Sequence, residues 1–217
     1  MIIDLHLNEK SVIIVGAGNE ALKRIKLLEN EGCEIIVIGE KPIAEITKLS
    51  QKKKITLKKI KITSTSFLKK YKPFLVIAST TDSILNQKIV QTAKKMKILA
   101  YASDSPDSSD ISYMSLIDIK KTIKVAISTS GSSPIMAKKI KSKTEKCLQK
   151  NISDQDIELI KIQKFARKES KKHILTQIER KKFLYELMND KRVKELLKDG
   201  KYKAIQTTIK KMVKDWK

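Results

Sequence analysis

The chain has 217 residues, 41% of them hydrophobic, with six glycines, four prolines and a formal net charge of +23 from 47 basic and 24 acidic side chains. This is the composition of a folded globular protein, and it excludes a disordered, collagen-like or disulfide-scaffold chain. No stretch approaches the roughly 18 uninterrupted apolar residues of a membrane helix.

The opening "MIIDLHLNEKSVIIVGAG" is broken by Asp4, His6, Glu9 and Lys10, so it lacks the basic start and apolar core of a secretory signal, and a cytoplasmic location is expected. "SVIIVG" (11–16) is a continuous apolar run of strand length. After it, the segment from Asn19 to Glu31 carries Ala21, Leu22, Ile25 and Leu28 at helical spacing. "EIIVIG" (34–39) reads as a second buried strand, and "KITLKKIKI" (54–62) as a strand with one wet face. "FLVIAST" (74–80) precedes a helix from about Asp82 with Ile84, Leu85, Ile89 and Ala93 on one face; "ILAYAS" (98–103) and "TIKVAIST" (122–129) complete the series. Apolar strands separated by amphipathic helices predict a doubly wound α/β domain, its parallel sheet covered on both faces.

Past Ser130 the pattern is helical, with Pro134 opening one helix and Gly200 stopping another. The expected division is a Rossmann-like domain over 1–112, a segment over 113–150 and a small helical module over 151–217.

The positive charge is spread over both parts of the chain and predicts a polyanionic partner. Only four of the basic residues are arginine (Arg24, Arg167, Arg180, Arg192), aromatics are few and no nucleic-acid signature is present, which argues against a reader of DNA or RNA. Cys33 and Cys147 are isolated, and His6 and His173 show no metal-ligand spacing, so neither a disulfide framework nor a metal site is expected.

Gly16, Gly18 and Ala21 form G-x-G-x-x-A between the first strand and the first helix. In that context the first glycine allows the tight turn, the second admits a pyrophosphate, and the small third residue lets helix and strand pack closely. The helix N-terminus adds free N–H groups and a positive dipole end. Gly16, Ala17, Gly18, Asn19, Glu20 and Ala21 are therefore the expected dinucleotide loop. Glu40 is the candidate for the ribose hydroxyls, one place beyond where such a carboxylate usually stands, and it reads equally as an exposed turn residue. With Lys41 the only nearby base for a 2′-phosphate, NAD is preferred over NADP.

Two further strand ends are polar. "ASTTD" (78–82) offers Thr80 and Thr81 to the nicotinamide side of a cofactor, or a cap for the next helix through Thr81 or Asp82. In "YASDSPDSSD" (101–110), Asp104 stands first after the strand, where a carboxylate either accepts a substrate proton or makes an Asx-turn ahead of Pro106. A third polar stretch, "ISTSGSSPIMAKK" (127–139), has Ser133 as N-cap and Pro134 at N1, a helix start able to hold a carboxylate or phosphate.

Taken in this order, "VGAGNEALKRIKLL", "IASTTDSILN" ending at Asn86, the "DSP" after the next strand and "AISTSGSSPIMAKKIK" resemble the precorrin-2 dehydrogenase family, the dehydrogenase part of siroheme synthases, from about Asn8 to Glu145. The resemblance implies NAD-dependent oxidation of precorrin-2 to sirohydrochlorin, with ferrous iron insertion in some relatives. It also implies a homodimer joined through about 113–150 and a helical end that closes over the substrate. The family's essential aspartate falls on Asp104, and Ser128, Ser130, Gly131, Ser132, Ser133 and Lys138 fall where the substrate's carboxylates are met, with Lys139 and Lys141 close by. One departure is Tyr101, in "AYASD", where the family carries an asparagine. A polycarboxylate tetrapyrrole would account for the lysine surplus through steering and ion pairs. The reading from a different class is a Rossmann module that senses NAD and passes its state to a partner through the helical end; the glycine loop suits it equally, but the "ISTSGSSP" run does not follow from it.

Overall fold

The structure, a computed structural model, describes residues 2–216; Met1 and Lys217, the outermost residues of the expected domains, lie outside the described residues. The chain divides into two compact units that part between Tyr113 and Met114.

In the first unit β1 (Ser11–Val15), β2 (Glu34–Ile38), β3 (Thr56–Lys58), β4 (Leu75–Ala78) and β5 (Leu99–Ala102) form one sheet in the order β3-β2-β1-β4-β5. All its pairings are parallel, with Val15 of β1 lying between Ile38 and Ala78. Side chains alternate across a strand, so each apolar run feeds two cores. Val12, Ile14, Val37, Leu75 and Ile77 pack against α1 (Asn19–Leu28) and α2 (Ala44–Gln51) through Ala21, Ile25, Leu28 and Ile46. On the other face Ile13, Val15, Ile36, Ile38, Val76 and Ala78 pack against α3 (Ser66–Tyr71) and α4 (Ser83–Lys95) through Phe67, Leu68, Ile89, Val90 and Ala93. Burial on both faces is why these strands read as unbroken hydrophobic stretches.

The strand over 122–129 does not join that sheet. β6 (Ser115–Ile119) and β7 (Ile123–Ile127) instead form an antiparallel hairpin of their own. Two local causes are visible. Lys120 and Lys121 both take positive φ, 50° and 54°, and the Thr122 N–H donates to the Ile119 carbonyl at 3.0 Å, which closes a tight turn within the three residues that join the strands. The outer edge of β5 is also taken by the loop that follows it, since the Ala102 N–H donates to Ser109 Oγ at 2.9 Å and the Ala100 N–H to Asp110 Oδ2 at 3.0 Å. With that edge satisfied, the parallel sheet ends at five strands.

The second unit continues with α5 (Pro134–Asn151), α6 (Asp154–His173), α7 (Gln177–Asn189), α8 (Lys191–Lys198) and α9 (Tyr202–Lys214). Its ends are set by side chains: Ser133, Ser153, Thr176 and Asp190 each accept a backbone N–H in the first turn of the helix they open, and Ser153 with Asp156 makes a capping box. Ile162, Ala166, Phe183, Leu187, Val193, Ile205, Ile209 and Val213 form the helical core, with Trp216 edge-on to Phe183 at 5.3 Å. Complete burial of a side chain such as Phe183 or Leu187 stabilises by roughly 1.5–3 kcal/mol. No helix among the described residues is long and apolar enough to cross a membrane.

Candidate active site at the carboxyl edge of the parallel sheet

Successive strands of this sheet run β1, β2, β3 toward one side and β4, β5 toward the other, so the order reverses between β1 and β4. Ligands of such sheets bind at the carboxyl ends beside that reversal. The glycine loop stands there. Gly16 has φ +115°, and a Cβ on it would lie 2.4 Å from the carbonyl oxygen of Ser79, the residue just past β4. Only glycine lets the two strand ends approach so closely. Ala17 is buried, as is Ala21, whose small side chain lets α1 settle on the sheet.

Gly18 differs from Gly16. Its φ is −96°, and a Cβ there would meet nothing within 4 Å. It is the N-cap of α1 without a side-chain cap, and both it and Asn19 are exposed. A loop with solvent-facing room beside an uncapped helix start is what a diphosphate requires, so the residues present fit a dinucleotide. Glu20 lies in the first turn, and Lys23, hydrogen-bonded to it, holds its carboxyl below the ordinary range with Arg24 assisting. That pairing draws the carboxylate toward the basic side of α1.

Gly39 contributes in a way the sequence left unread. A Cβ there would fall 2.7 Å from the Ala17 Cβ and 3.0 Å from its backbone nitrogen, so the end of β2 presses on the glycine loop. A side chain at 39 is thus excluded, and Glu40, the next residue, is exposed. Gly39→Val should lower the melting temperature and weaken NAD binding together, because it displaces Ala17; a thermal melt paired with a cofactor titration measures both.

The β4 and β5 loops meet through Asn86, which is wholly buried in the first part of α4. The Thr80 N–H donates to Asn86 Oδ1 at 3.2 Å and the Thr80 hydroxyl donates to the same oxygen at 2.7 Å. Asn86 Nδ2 donates to the Thr80 carbonyl at 3.1 Å and to Asp104 Oδ2 at 3.0 Å. Thr80 therefore turns its polar atoms inward, whereas Thr81 is exposed. Asp82, of the two cap candidates, is the one that caps α4, accepting the Leu85 N–H at 3.0 Å. Asp104 is exposed just past β5 with one carboxylate oxygen fixed by Asn86. Its other oxygen has no protein partner among the described residues, so it can receive a proton from a ligand.

Tyr101 is buried under Arg24, which donates to its hydroxyl at 3.0 Å and lies 4.9 Å from its ring and 4.3 Å from that of Tyr113. Cation–π contact and the hydrogen bond fasten the helix after the glycine loop to β5. Burial pushes the Tyr113 hydroxyl up to about 12, with Arg24 opposing. Neither Arg24 nor Tyr113 carried a sequence signal for this stack, which joins residues 77 apart.

The serine run belongs to the second unit. Thr129 and Ser133 bond reciprocally, the Ser133 N–H donating to Thr129 Oγ1 at 3.2 Å and the Thr129 hydroxyl to the Ser133 carbonyl at 3.1 Å. Ser128 Oγ accepts the Ser130 N–H at 3.0 Å, and Ser130 and Gly131 take φ of 51° and 81°. Ser133 Oγ caps α5 through the Met136 N–H. Ser128, Ser130, Gly131, Ser132 and Lys138 are exposed and Ser133 half-buried. Among the described residues no group of three His, Cys, Asp or Glu side chains is placed to hold a metal ion.

Comparison with known proteins agrees with this geometry. Residues 3–115 match a family described as "Putative NAD(P)-binding". The siroheme synthase of Buchnera aphidicola subsp. Acyrthosiphon pisum is 30% identical over 210 residues, 96% of this chain and 42% of that protein. The precorrin-2 dehydrogenase of Bacillus subtilis is 28% identical over 144 residues, 66% of this chain and 86% of that protein. The chain thus spans less than half the length of the siroheme synthases it matches. The solved structure of SirC, a precorrin-2 dehydrogenase, covers the whole of both chains at a TM-score of 0.70 and 22% identity, and shows the same fold. With the glycine loop, the strand order and these relatives in agreement, the chain belongs to the precorrin-2 dehydrogenase family, residues 3–115 forming its NAD(P)-binding part.

Proposed function

We propose that this chain oxidises precorrin-2 to sirohydrochlorin with NAD as the acceptor. The observation that carries the reading is the uncapped, solvent-facing start of α1 at the strand reversal, on the same sheet edge as the carboxylate of Asp104. The oxidation removes two hydrogens from the macrocycle, one as hydride and one as a proton. NAD, when bound, supplies the acceptor for the hydride. Asp104 takes the proton on its free oxygen, as a base fixed by Asn86.

In this reading Gly16, Ala17, Gly18, Asn19, Glu20 and Ala21 hold the diphosphate, and Glu40 the ribose. Thr81 faces the nicotinamide side directly, and Thr80 acts by shaping the turn. Ser128, Ser130, Gly131, Ser132, Ser133 and Lys138 meet the carboxylates of the substrate, Gly131 and its neighbours through backbone N–H groups and Lys138 through its charge. The surplus of lysine suits a polyanion of this kind without requiring nucleic acid. The two unpaired cysteines suit a reducing, cytoplasmic compartment.

Residues 113–150 serve as the dimerisation segment. What supports this is an apolar surface on β6 and α5: Ile135 is 80% exposed, with Leu116, Met136 and Ile140 also exposed, while Ala137 is the one buried residue of α5. A second copy of the chain would cover it. Ile135→Glu should convert the dimer to monomers, because a charge stranded in an apolar interface costs several kcal/mol. Sedimentation equilibrium reads this as a halved mass; an unchanged mass would remove α5 from the interface.

The test of the activity is an anaerobic assay of the purified chain with precorrin-2, first without and then with NAD, ferrous iron being added last. Sirohydrochlorin should form only once NAD is present, and any later spectral change on adding iron reports insertion separately. Product formed at the same rate without NAD would refute the proposal.

A further inference from the structure

The arrangement around Asn86 goes further than a pinned turn. We propose that Asn86 is a positioning residue for the reaction, which orients the Asp104 carboxylate and ties it to the Thr80 turn. The inference rests on the reading of Asp104 as the proton acceptor.

An asparagine amide has two donor hydrogens and two acceptor sites, and here all four are used. Oδ1 receives the Thr80 N–H and the Thr80 hydroxyl, and Nδ2 gives one hydrogen to the Thr80 carbonyl and one to Asp104 Oδ2. The Thr80 N–H can face only an acceptor, so the orientation of the amide is determined, and the NH2 must point at Asp104. Because Asn86 has no exposed surface, water cannot substitute for any of these bonds. A helix start needs none of this: α4 is already capped by Asp82. The contact with Asp104 joins residues 18 apart across two strands, and a turn that only had to be pinned would not require it.

The remaining acidic groups of these loops do not compete for the amide. Asp82 accepts the Leu85 N–H. Asp110 accepts the Ala100 N–H and pairs with Lys94 at 3.3 Å. Asp107 is exposed on the short 3-10 turn Pro106–Ser108. Asn86 is thus the neighbour that decides where the Asp104 oxygens point.

Two variants test this. Asn86→Asp exchanges the donor for a carboxylate facing both Asp104 and the Thr80 carbonyl. Two carboxylates that share a site push one protonation upward, so the acid limb of the kcat/KM profile should move to higher pH by about one unit or more. Asn86→Ala removes the donor without adding charge; at saturating NAD, which sets aside any loss of cofactor affinity through the Thr80 turn, kcat should fall about tenfold or more, as misplacement of a reacting group predicts. The same change in an Asp104→Asn background should then have little further effect, because residues acting through one contact are not additive. A merely structural asparagine would give no shift in the limb and equal losses in both backgrounds, and that result overturns the proposal. If Asp104→Asn itself keeps the wild-type rate, the proton-acceptor reading fails and the inference falls with it; if only the Asn86 results fail, that reading stands. Should Asn86→Asp not fold, the alanine cycle alone decides the matter.

Discussion

Gly16→Ala is expected to lower kcat/KM for NAD on the order of 100-fold, the loss typical when a binding group is misplaced by about 1 Å. The alanine methyl would lie 2.4 Å from the Ser79 carbonyl oxygen and 2.8 Å from its carbon, both backbone atoms that cannot swing aside. A φ of +115° is also strained for any residue with a side chain. The strand ends must then part, and the amides that follow Gly16 lose their common focus. Gly18→Ala provides the contrast. Its φ is ordinary and its surroundings are open, so the free protein should melt as the wild type does, and only the cofactor affinity should fall as the methyl occupies the diphosphate's room. Thermal melts with and without NAD separate the two glycines: one costs fold and ligand together, the other ligand alone.

Asp104→Ala should reduce turnover by roughly 10²–10⁴-fold, the usual worth of a positioned acid or base. NAD affinity should be unchanged, since the residue lies past β5 while the glycine loop follows β1. Asp104→Asn is the sharper form. Its side-chain oxygen can still accept the Asn86 N–H that Oδ2 accepts now, so the loop stays in place while the proton acceptor is lost. A rate near wild type in either variant, measured with saturating NAD, would remove Asp104 from the chemistry.

The parts legible in the sequence were those written by local spacing or by burial on two faces. β1, β2, β4 and β5 each bury side chains on both sides of the sheet, so Val12 to Val15 or Leu75 to Ala78 appear as unbroken apolar runs. The glycine loop was legible because its function requires three small residues within six positions. The hairpin was not, because Lys120 and Lys121 turn the chain without the glycine or asparagine that usually marks such a turn. Its second strand, Ile123–Ile127, has the same apolar character as a parallel strand, and the turn at Lys120 and Lys121 together with the occupied edge of β5 keeps it out of that sheet. Helices α2 and α3 escaped because they are short, eight and six residues, and bury only Ile46 in one and Phe67 and Leu68 in the other. The candidate site was half legible. Asp104 stood out by its position after a strand, but its link to Asn86 and the stack of Arg24 on Tyr101 and Tyr113 depend on which strands are neighbours. No spacing along the chain records that.

Calorimetric titration of the intact protein with NAD measures most directly whether the backbone N–H groups after β1 receive a dinucleotide. That role predicts saturable uptake at one site per chain, abolished or strongly weakened by Gly16→Ala and retained by Asp104→Asn. A well-folded wild-type protein that takes up neither oxidised nor reduced cofactor would contradict it.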